Sequence, residues 1–287
     1  MRITKRHALL TAFLLAVVSV GAAGGVTYER ADSLTVCRLL AEARRQPQSE
    51  CLPLFFARQF LGRPYVAHTL EVNDREQLVV NTRELDCTTL VENVVALTLC
   101  VRCGEYGFAD FVRTLRTLRY RGGRLDEYPS RLHYFSDWIG DKQLMGLVSE
   151  VQSPRPPFTA VQRLDLRFMS THPDSYRALK EHPEYIPQIR RQEQALTGLT
   201  FRYIPKAEVK NTRLLRQTVR DGDIIAITCS VKGLDIAHLG FAVWKPDGLH
   251  MLNASSIHHK VVDEPMTLRQ YLRKHRSHTG IRIIRIK

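Results

Sequence analysis

Three residues of this sequence, Cys87, His238 and Asn253, are of the types that together can hydrolyse an amide by nucleophilic attack. Cys87 follows Asp86, a residue favoured at helix N-caps, and an apolar run comes next. A thiol in the first helical turn lies at the positive end of the helix dipole, which favours the thiolate. The N–H groups there have no intrahelical acceptor, so they can stabilise an oxyanion. Cys87 alone is equally consistent with a buried, unreactive thiol.

His238 lies on a predicted strand, 237–244, and Asn253 lies on the next one, 249–254. Asp247-Gly248 between them predicts a hairpin. A two-residue turn there would offset Asn253 from His238, so the two would touch only if a bulge or a longer turn shifted the register. A single histidine on a strand is more often structural than catalytic.

Together these side chains match the arrangement of a nucleophile, a base and an orienting group. In that arrangement His238 deprotonates Cys87 or holds it as an ion pair, and Asn253 fixes the imidazole tautomer. The thiolate attacks an amide carbonyl, and His238 then protonates the leaving amine.

The elements that must position these residues change in type along the chain. Helical periodicity covers 33–61 with a turn, 86–100, 108–120, and 175–196 in two pieces. Residues 70–80 are predicted to be extended and 124–157 to be mostly irregular. The last third contains short β-rich segments, at 201–204, 223–228, 237–244, 249–254 and 281–286. We therefore predict an α+β fold, with one domain over 24–287 that is helical to about 200 and sheet-rich over 201–287.

The first residues predict export. Three basic residues precede an apolar run over 8–23, which is typical of a signal peptide covering 1–23. The run is shorter than the ~20 residues of a spanning helix, so we expect no stable membrane insertion after its removal. An uncleaved anchor is the alternative. The expected location is the periplasm or the cell envelope.

The formal net charge is +13. For an exported protein this does not indicate nucleic acid, and the basic residues near the end lack the interleaved aromatic residues of a single-strand-binding surface. These residues are Arg269, Arg273, Lys274 and Arg276. A solvated surface and electrostatic steering both remain open.

Six cysteines are too few for a disulfide scaffold, although Cys37 and Cys51 could pair. The pair Cys100 and Cys103 could form a redox motif, a bridge or half of a metal site. No second CxxC or spaced His pair completes a zinc site, so we predict neither a metal nor a cofactor. The CxxC also ends a helix, whereas redox motifs open one, which favours a structural role.

Five motifs occur in a characteristic order: 61–65 (LGRPY), 85–92 (LDCTTLVE), 221–225 (DGDII), 237–241 (AHLGF) and 252–256 (LNASS). This series resembles the NlpC-type papain-like cysteine peptidases. Together with 66–71 and 131–138, it more narrowly resembles their N-acetylmuramoyl-L-alanine amidase-like branch. The similarity extends from about Leu54 to the C-terminus.

The resemblance implies a papain-like α+β core in which the helix bearing the nucleophile packs on an antiparallel sheet. It makes Cys87 the nucleophile, His238 the base and Asn253 the orienting residue, a position often occupied by His in the superfamily. Tyr65 is expected beside the site, where its hydroxyl could support the substrate or the oxyanion. The alternative for Tyr65 is a packing aromatic.

The resemblance further implies a peptidoglycan or muropeptide substrate. In related endopeptidases an Asp-Cys-Ser pattern helps to hold the amine of a terminal L-Ala; here Asp86 is present but Thr88 replaces the Ser. This leaves open cleavage of the bond between N-acetylmuramic acid and L-Ala, which the narrower resemblance implies. Trp138 could stack on the sugar or could instead anchor a loop.

Three other functions remain open. One is a γ-D-glutamyl-diamino acid endopeptidase, and a second is an inactive envelope-binding module. The third is a thiol–disulfide protein that uses Cys100 and Cys103.

Overall fold

A computed structural model describes residues 25–47 and 49–287, so the predicted signal segment 1–23 lies outside the described residues. The α-helices are α1 (Arg30–Ala43), α2 (Leu52–Gln59), α3 (Cys87–Arg102), α4 (Phe108–Arg119), α5 (Phe135–Leu144), α6 (Phe168–Thr171), α7 (Arg177–Glu181), α8 (Ile186–Leu196), α9 (Arg213–Thr218) and α10 (Leu268–Lys274). The strands are β1 (Val26–Tyr28), β2 (Leu78–Val80), β3 (Val148–Val151), β4 (Ala160–Arg163), β5 (Thr200–Pro205), β6 (Ile224–Cys229), β7 (Ile236–Lys245), β8 (Gly248–Ser255), β9 (Lys260–Asp263) and β10 (His278–Ile286).

The main sheet has eight antiparallel strands, which confirms the predicted α+β class. Seven strands follow the order β4-β5-β10-β6-β7-β8-β9, and β3 pairs with the other end of β10. The last strand of the chain, β10, therefore lies inside the sheet between β5 and β6. Strands β1 and β2 form a separate parallel pair.

Helix α3 is the central helix of the fold. Asp86 caps it by accepting a hydrogen bond from the Thr89 N–H at 2.7 Å, and the Thr89 hydroxyl accepts one from the Asp86 N–H at 2.9 Å. This reciprocal pair is a capping box. Every residue from Thr89 to Cys100 is buried, so α3 packs on all sides. A helix apolar around its whole circumference is expected to be buried in this way.

A buried ion pair fixes α3 to its neighbour α4. The Arg119 guanidinium lies 2.7 Å from the Glu92 carboxylate, and both side chains are almost fully excluded from solvent. Removing one partner would leave an uncompensated buried charge, at a cost of about 3–5 kcal/mol. The pair therefore holds the helix that carries Cys87 in one position.

Two hydrophobic clusters lie on opposite faces of the sheet. The larger joins α1 to α4 with one face, including Leu239, Phe241 and Val243 of β7. The smaller joins the other face, including Ala242 and Met251, with α9 and α10. The alternation of side chains along β7 produces this division. A third cluster lies beside α6, α7 and α8.

Two sequence predictions about local structure were wrong. Residues 70–80 are extended only at Leu78–Val80, and part of the segment expected to be irregular forms α5. Phe135, Trp138 and Ile139 are buried at the i, i+3 and i+4 spacing of an apolar helix face. This short helix is stabilised by its packing, which local sequence patterns do not reveal.

All six cysteines are free thiols, so the possible pairing of Cys37 with Cys51 is not formed. Cys37 is exposed, whereas the Cys51 thiol lies 3.3 Å from the Asp221 carbonyl oxygen. No helix among the described residues is long and apolar enough to cross a bilayer.

Candidate active site

Cys87 is the first residue of α3, where the sequence placed it. The Thr89 N–H donates to the Asp86 side chain, and the Leu90 N–H donates to the Asp86 carbonyl oxygen at 3.0 Å. Within the described structure, no oxygen accepts from the N–H groups of Cys87 and Thr88. Two backbone donors therefore remain beside the sulfur for a developing oxyanion.

His238 and Asn253 are hydrogen bonded. His238 Nε2 lies 2.9 Å from Asn253 Oδ1, while Asn253 Nδ2 donates to the Met251 carbonyl oxygen at 3.4 Å. Because the amide nitrogen is used in this second bond, the amide oxygen faces the ring. The imidazole must then carry its proton on Nε2, which leaves the lone pair of Nδ1 to act as a base.

The contact between these residues depends on a register that differs from the predicted one. Lys245 pairs with Gly248 and Phe241 with Leu252, so the hairpin turn is Pro246-Asp247 and not Asp247-Gly248. One step beyond the Phe241–Leu252 pair, Asn253 comes alongside Gly240. His238 is then its diagonal neighbour on the same face, within reach of a long side chain and without a bulge.

Gly240 permits this diagonal contact. A Cβ at Gly240 would lie 2.5 Å from Met251 Cγ and 2.8 Å from the Leu252 carbonyl oxygen. Only a residue without a side chain allows β7 and β8 to approach this closely between the imidazole and the amide.

Strand β7 brings His238 close to Cys87. The Leu239 N–H faces the Cys87 sulfur and stabilises its thiolate, and Leu239 directly follows His238. Among the described residues, the sulfur and the imidazole form no direct hydrogen bond. Catalytic hydrogen bonds are often long before the substrate binds, so this separation is compatible with proton transfer in the complex.

The electrostatics favour a neutral pair in the resting protein. Burial, with the Asp86 carboxylate adding to it, raises the pKa of Cys87 to about 12. Burial lowers the pKa of His238, and the hydrogen bond to Asn253 opposes this. Desolvation of the sulfur thus opposes the favourable helix dipole, which favours a protonated Cys87 thiol before the substrate binds.

Tyr65 lies beside Cys87. Its backbone pairs with Leu85, two residues before the nucleophile, and its N–H donates to the His259 carbonyl oxygen at 3.0 Å. Burial, with the influence of Cys87 and Asp86 adding to it, raises the pKa of Tyr65 to about 12. The hydroxyl therefore stays protonated and can donate a hydrogen bond next to the sulfur.

The other three predicted binding residues have different positions. The Thr88 hydroxyl interacts with the sulfur and lowers the pKa of Cys87. Asp86 uses one carboxylate oxygen to cap α3. Trp138 was wrongly expected to offer a stacking face, because it is 1% exposed and stacks on Phe135 with ring centroids 4.9 Å apart. Its helical spacing buries it in the main core.

Sequence reasoning missed Tyr271, which lies beside His238. Its ring centroid is 6.4 Å from that of His238, and it also contacts His275 at 4.7 Å. Burial raises the pKa of Tyr271 to about 12, with Glu264 and then Cys87 adding to it. The short helix α10 that carries Tyr271 was not predicted. His275 and His278, which follow it in the sequence, were the residues that could have indicated a functional role for this segment.

Comparison with known proteins identifies the family of this chain. The model of the AmiA-like family, described as N-acetylmuramoyl-L-alanine amidase-like, matches residues 55–281. The chain belongs to this family. The family is one of amidase-like cell-wall hydrolases, which implies a peptidoglycan substrate. No curated protein matches the chain.

Solved structures support the same relationship. An N-acetylmuramoyl-L-alanine amidase from Bacteroides uniformis is 40% identical, with a TM-score of 0.76 over 82% of this chain and 98% of that one. A Bacteroides fragilis protein, provisionally assigned as a xylanase, is 41% identical, with a TM-score of 0.75 over 80% of this chain and 99% of that one. A Legionella pneumophila protein at 22% identity shares the fold, with a TM-score of 0.68 over 89% and 94%.

Proposed function

We propose that this AmiA-like protein hydrolyses the amide between N-acetylmuramic acid and L-Ala in peptidoglycan fragments. The observation that carries the proposal is the hydrogen-bonded pair of His238 and Asn253 on strands β7 and β8. This pair adjoins the first turn of α3, where the Cys87 sulfur has two unused backbone donors beside it. The sequence similarity to the B. uniformis amidase supports the choice of bond.

The proposed reaction begins from the neutral pair. His238 Nδ1 takes the Cys87 proton as Sγ attacks the lactyl carbonyl carbon, so no free thiolate accumulates. The N–H groups of Cys87 and Thr88 and the Tyr65 hydroxyl donate to the resulting oxyanion. The C–N bond then breaks, and His238 transfers its proton to the leaving L-Ala nitrogen.

This step leaves a thioester between Cys87 and the lactyl group of the sugar. His238 next removes a proton from a water molecule that attacks the thioester, and the thiolate leaves and regains that proton. Asn253 holds the imidazole with Nδ1 directed to the sulfur through both steps. A papain-like mechanism thus needs neither a metal nor a cofactor.

The proposed location is the periplasm or cell envelope, where peptidoglycan occurs. It rests on the basic and apolar pattern of residues 1–23, and residues 24–287 are proposed to form a single hydrolase domain.

Mass spectrometry of purified muropeptides incubated with the protein and with Cys87→Ala tests the proposal. Cys37→Ala is a matched control, since Cys37 is an exposed thiol outside the site. We expect the wild type and the control to release N-acetylmuramic acid and an intact stem that begins with L-Ala. A dipeptide ending in D-Glu would identify an endopeptidase, and no Cys87-dependent product would favour an inactive binding module.

A further inference from the structure

A cavity is lined by residues that directly follow Tyr65 in the chain and by Glu84, three residues before Cys87. It has a volume of about 450 Å³, within the usual range for small-ligand pockets, and its lining includes Val66, His68, Thr69, Val72 and Glu84. We call this cavity the Thr69 pocket. The Val66 N–H donates to the Leu85 carbonyl oxygen at 3.2 Å, which attaches the wall of the pocket to the chain two residues before Cys87.

The Thr69 pocket has unused polar groups on an apolar wall. Thr69 is 7% exposed, and its buried hydroxyl has no hydrogen-bond partner. The Glu84 carboxylate also lacks a partner among the described side chains. Val72 is 57% exposed beside them. A buried hydroxyl without a partner is costly unless a ligand satisfies it.

The charge of the pocket favours a neutral ligand over an acidic one. The Arg83 guanidinium in its lining is paired with Glu29 at 3.0 Å and with buried Asp32 at 3.3 Å. Glu84 is left as an uncompensated negative charge. A stem peptide with free carboxylates would be repelled here, whereas a sugar offers hydroxyl donors and apolar C–H faces.

Exposed basic residues lie at the end of the Tyr271 helix and just after it, on the side of His238, beyond the buried Glu264. The Tyr271 ring connects His238 with His275, and His275 lies between Lys274 and Arg276. We call residues 274–276 the basic turn. Neither Lys274 nor Arg276 has an ion-pair partner among the described residues. The basic turn therefore presents positive charge on the side of the base.

The chemistry assigns the two halves of the substrate to these two sides. His238 must lie within hydrogen-bond reach of the leaving amine to protonate it, so the peptide half lies towards His238. The acyl half, which carries the sugar, must then extend the other way, past the oxyanion donors and Tyr65. This order places the acidic stem near positive charge and the neutral sugar near the Thr69 pocket.

We infer that the Thr69 pocket binds the N-acetylmuramic acid ring and that the stem peptide extends towards the basic turn. The inference rests on the proposed function. It makes Thr69 and Glu84 specificity-determining residues, which recognise the sugar and take no part in bond cleavage.

Two substrates test the inference: N-acetylmuramoyl-L-Ala stem peptide, and the same stem carrying only a lactyl group. The variant is Val72→Trp, whose indole would fill the pocket from an exposed position and should not impair folding. Val161→Trp is the matched control, because Val161 is 55% exposed on β4 and lies outside the pocket lining.

We expect Val72→Trp to lower kcat/KM at least tenfold on the sugar substrate and less than twofold on the lactyl substrate, with Val161→Trp changing neither. Equal losses on both substrates, or no loss, would overturn the inference. If the wild type cleaves neither substrate, the proposed function has failed instead.

Two further variants test how the sugar is recognised and in which direction the stem peptide extends. Thr69→Val removes only the hydroxyl and should lower kcat/KM about 2–10-fold on the sugar substrate alone. Arg276→Glu should weaken cleavage of stems with free carboxylates more than of amidated stems, and the difference should shrink in high salt. Equal loss on both stems, or an effect of Thr69→Val on the lactyl substrate, would contradict the orientation.

Discussion

Two thiols lie on the same helix, Cys87 at the first residue of α3 and Cys100 near its end, and their surroundings differ. Burial raises the pKa of both, to about 12 for Cys87 and about 11 for Cys100. Cys100 lies in the main core with its sulfur 3.5 Å from the Thr114 hydroxyl. Cys87 has free backbone donors and faces the residue after His238.

The comparison shows that pKa does not separate the proposed nucleophile from the core thiol in this protein. Both sulfurs are protonated at neutral pH, so reactivity depends on what can accept the proton and stabilise the product. Cys87 has an oriented imidazole and unused N–H groups nearby, whereas Cys100 has one hydroxyl and apolar neighbours. This contrast disfavours a thiol–disulfide role for the CxxC sequence.

The largest expected effect tests the contrast directly. Cys87→Ala should lower amide hydrolysis at least ~10³-fold, because the covalent route is lost. Cys100→Ala should leave kcat/KM within about twofold. Muropeptide turnover by both purified variants measures this, and loss of activity in Cys100→Ala with Cys87→Ala active would reverse our assignment.

The second effect concerns the orienting amide. Asn253→Ala should lower kcat/KM on the order of 10²-fold, since general acid–base catalysis contributes at least that much. Asn253→Gln, which retains an amide at a different reach, should recover part of the activity. Unchanged kinetics in Asn253→Ala would show that His238 is positioned by other groups.

The third prediction concerns pH. Because the pKa of His238 lies below its ordinary value of 6.5 and the base acts when deprotonated, kcat/KM should be constant around pH 7. It should fall only at the more acidic pH where the imidazole becomes protonated, by up to about tenfold per pH unit. The rate of iodoacetamide labelling of Cys87 should fall at acidic pH in the same way, and His238→Ala should abolish this pH dependence. A resting ion pair would instead keep labelling fast at acidic pH.

The smallest effect comes from Gly240. A methyl group there meets Met251 and the Leu252 carbonyl, so Gly240→Ala should destabilise the fold by about 1–3 kcal/mol. Activity should fall severalfold as Asn253 shifts away from His238. Denaturant unfolding and turnover below the transition measure the two quantities. Ala242→Gly, on the same face of β7, is the control in which stability falls but the imidazole–amide contact remains.

Much of the fold could be predicted from periodicity and helix capping. Asp86 and the apolar residues after it correctly predicted α3 beginning at Cys87, and five β-rich segments correspond to strands of the sheet. The short elements β3, β4, β9 and α10 could not be predicted, because pairing and packing stabilise them more than local preference does. The assignments of Cys87, His238 and Asn253 as catalytic remain predictions.

The features of the site that depend on strand register or on burial could not be predicted from the sequence. A one-residue error in the hairpin turn separated Asn253 from His238, because Asp247-Gly248 resembles a favoured turn pair while Gly248 in fact begins β8. Tryptophan is typical both of hydrophobic cores and of sugar-binding sites, so the residue type of Trp138 does not distinguish the two. The pKa of Cys87 depends on desolvation by distant segments, which no local pattern reports.

The position of β10 has a consequence for the order in which the protein becomes active. This strand follows every other described strand along the chain, yet it separates β5 from β6 and pairs with both. A growing chain therefore carries Cys87 long before the sheet that supports His238 can close. The proposed activity would therefore require β10 to be in place, and truncation within β10 would leave a chain that carries Cys87, His238 and Asn253 without the closed sheet that positions them.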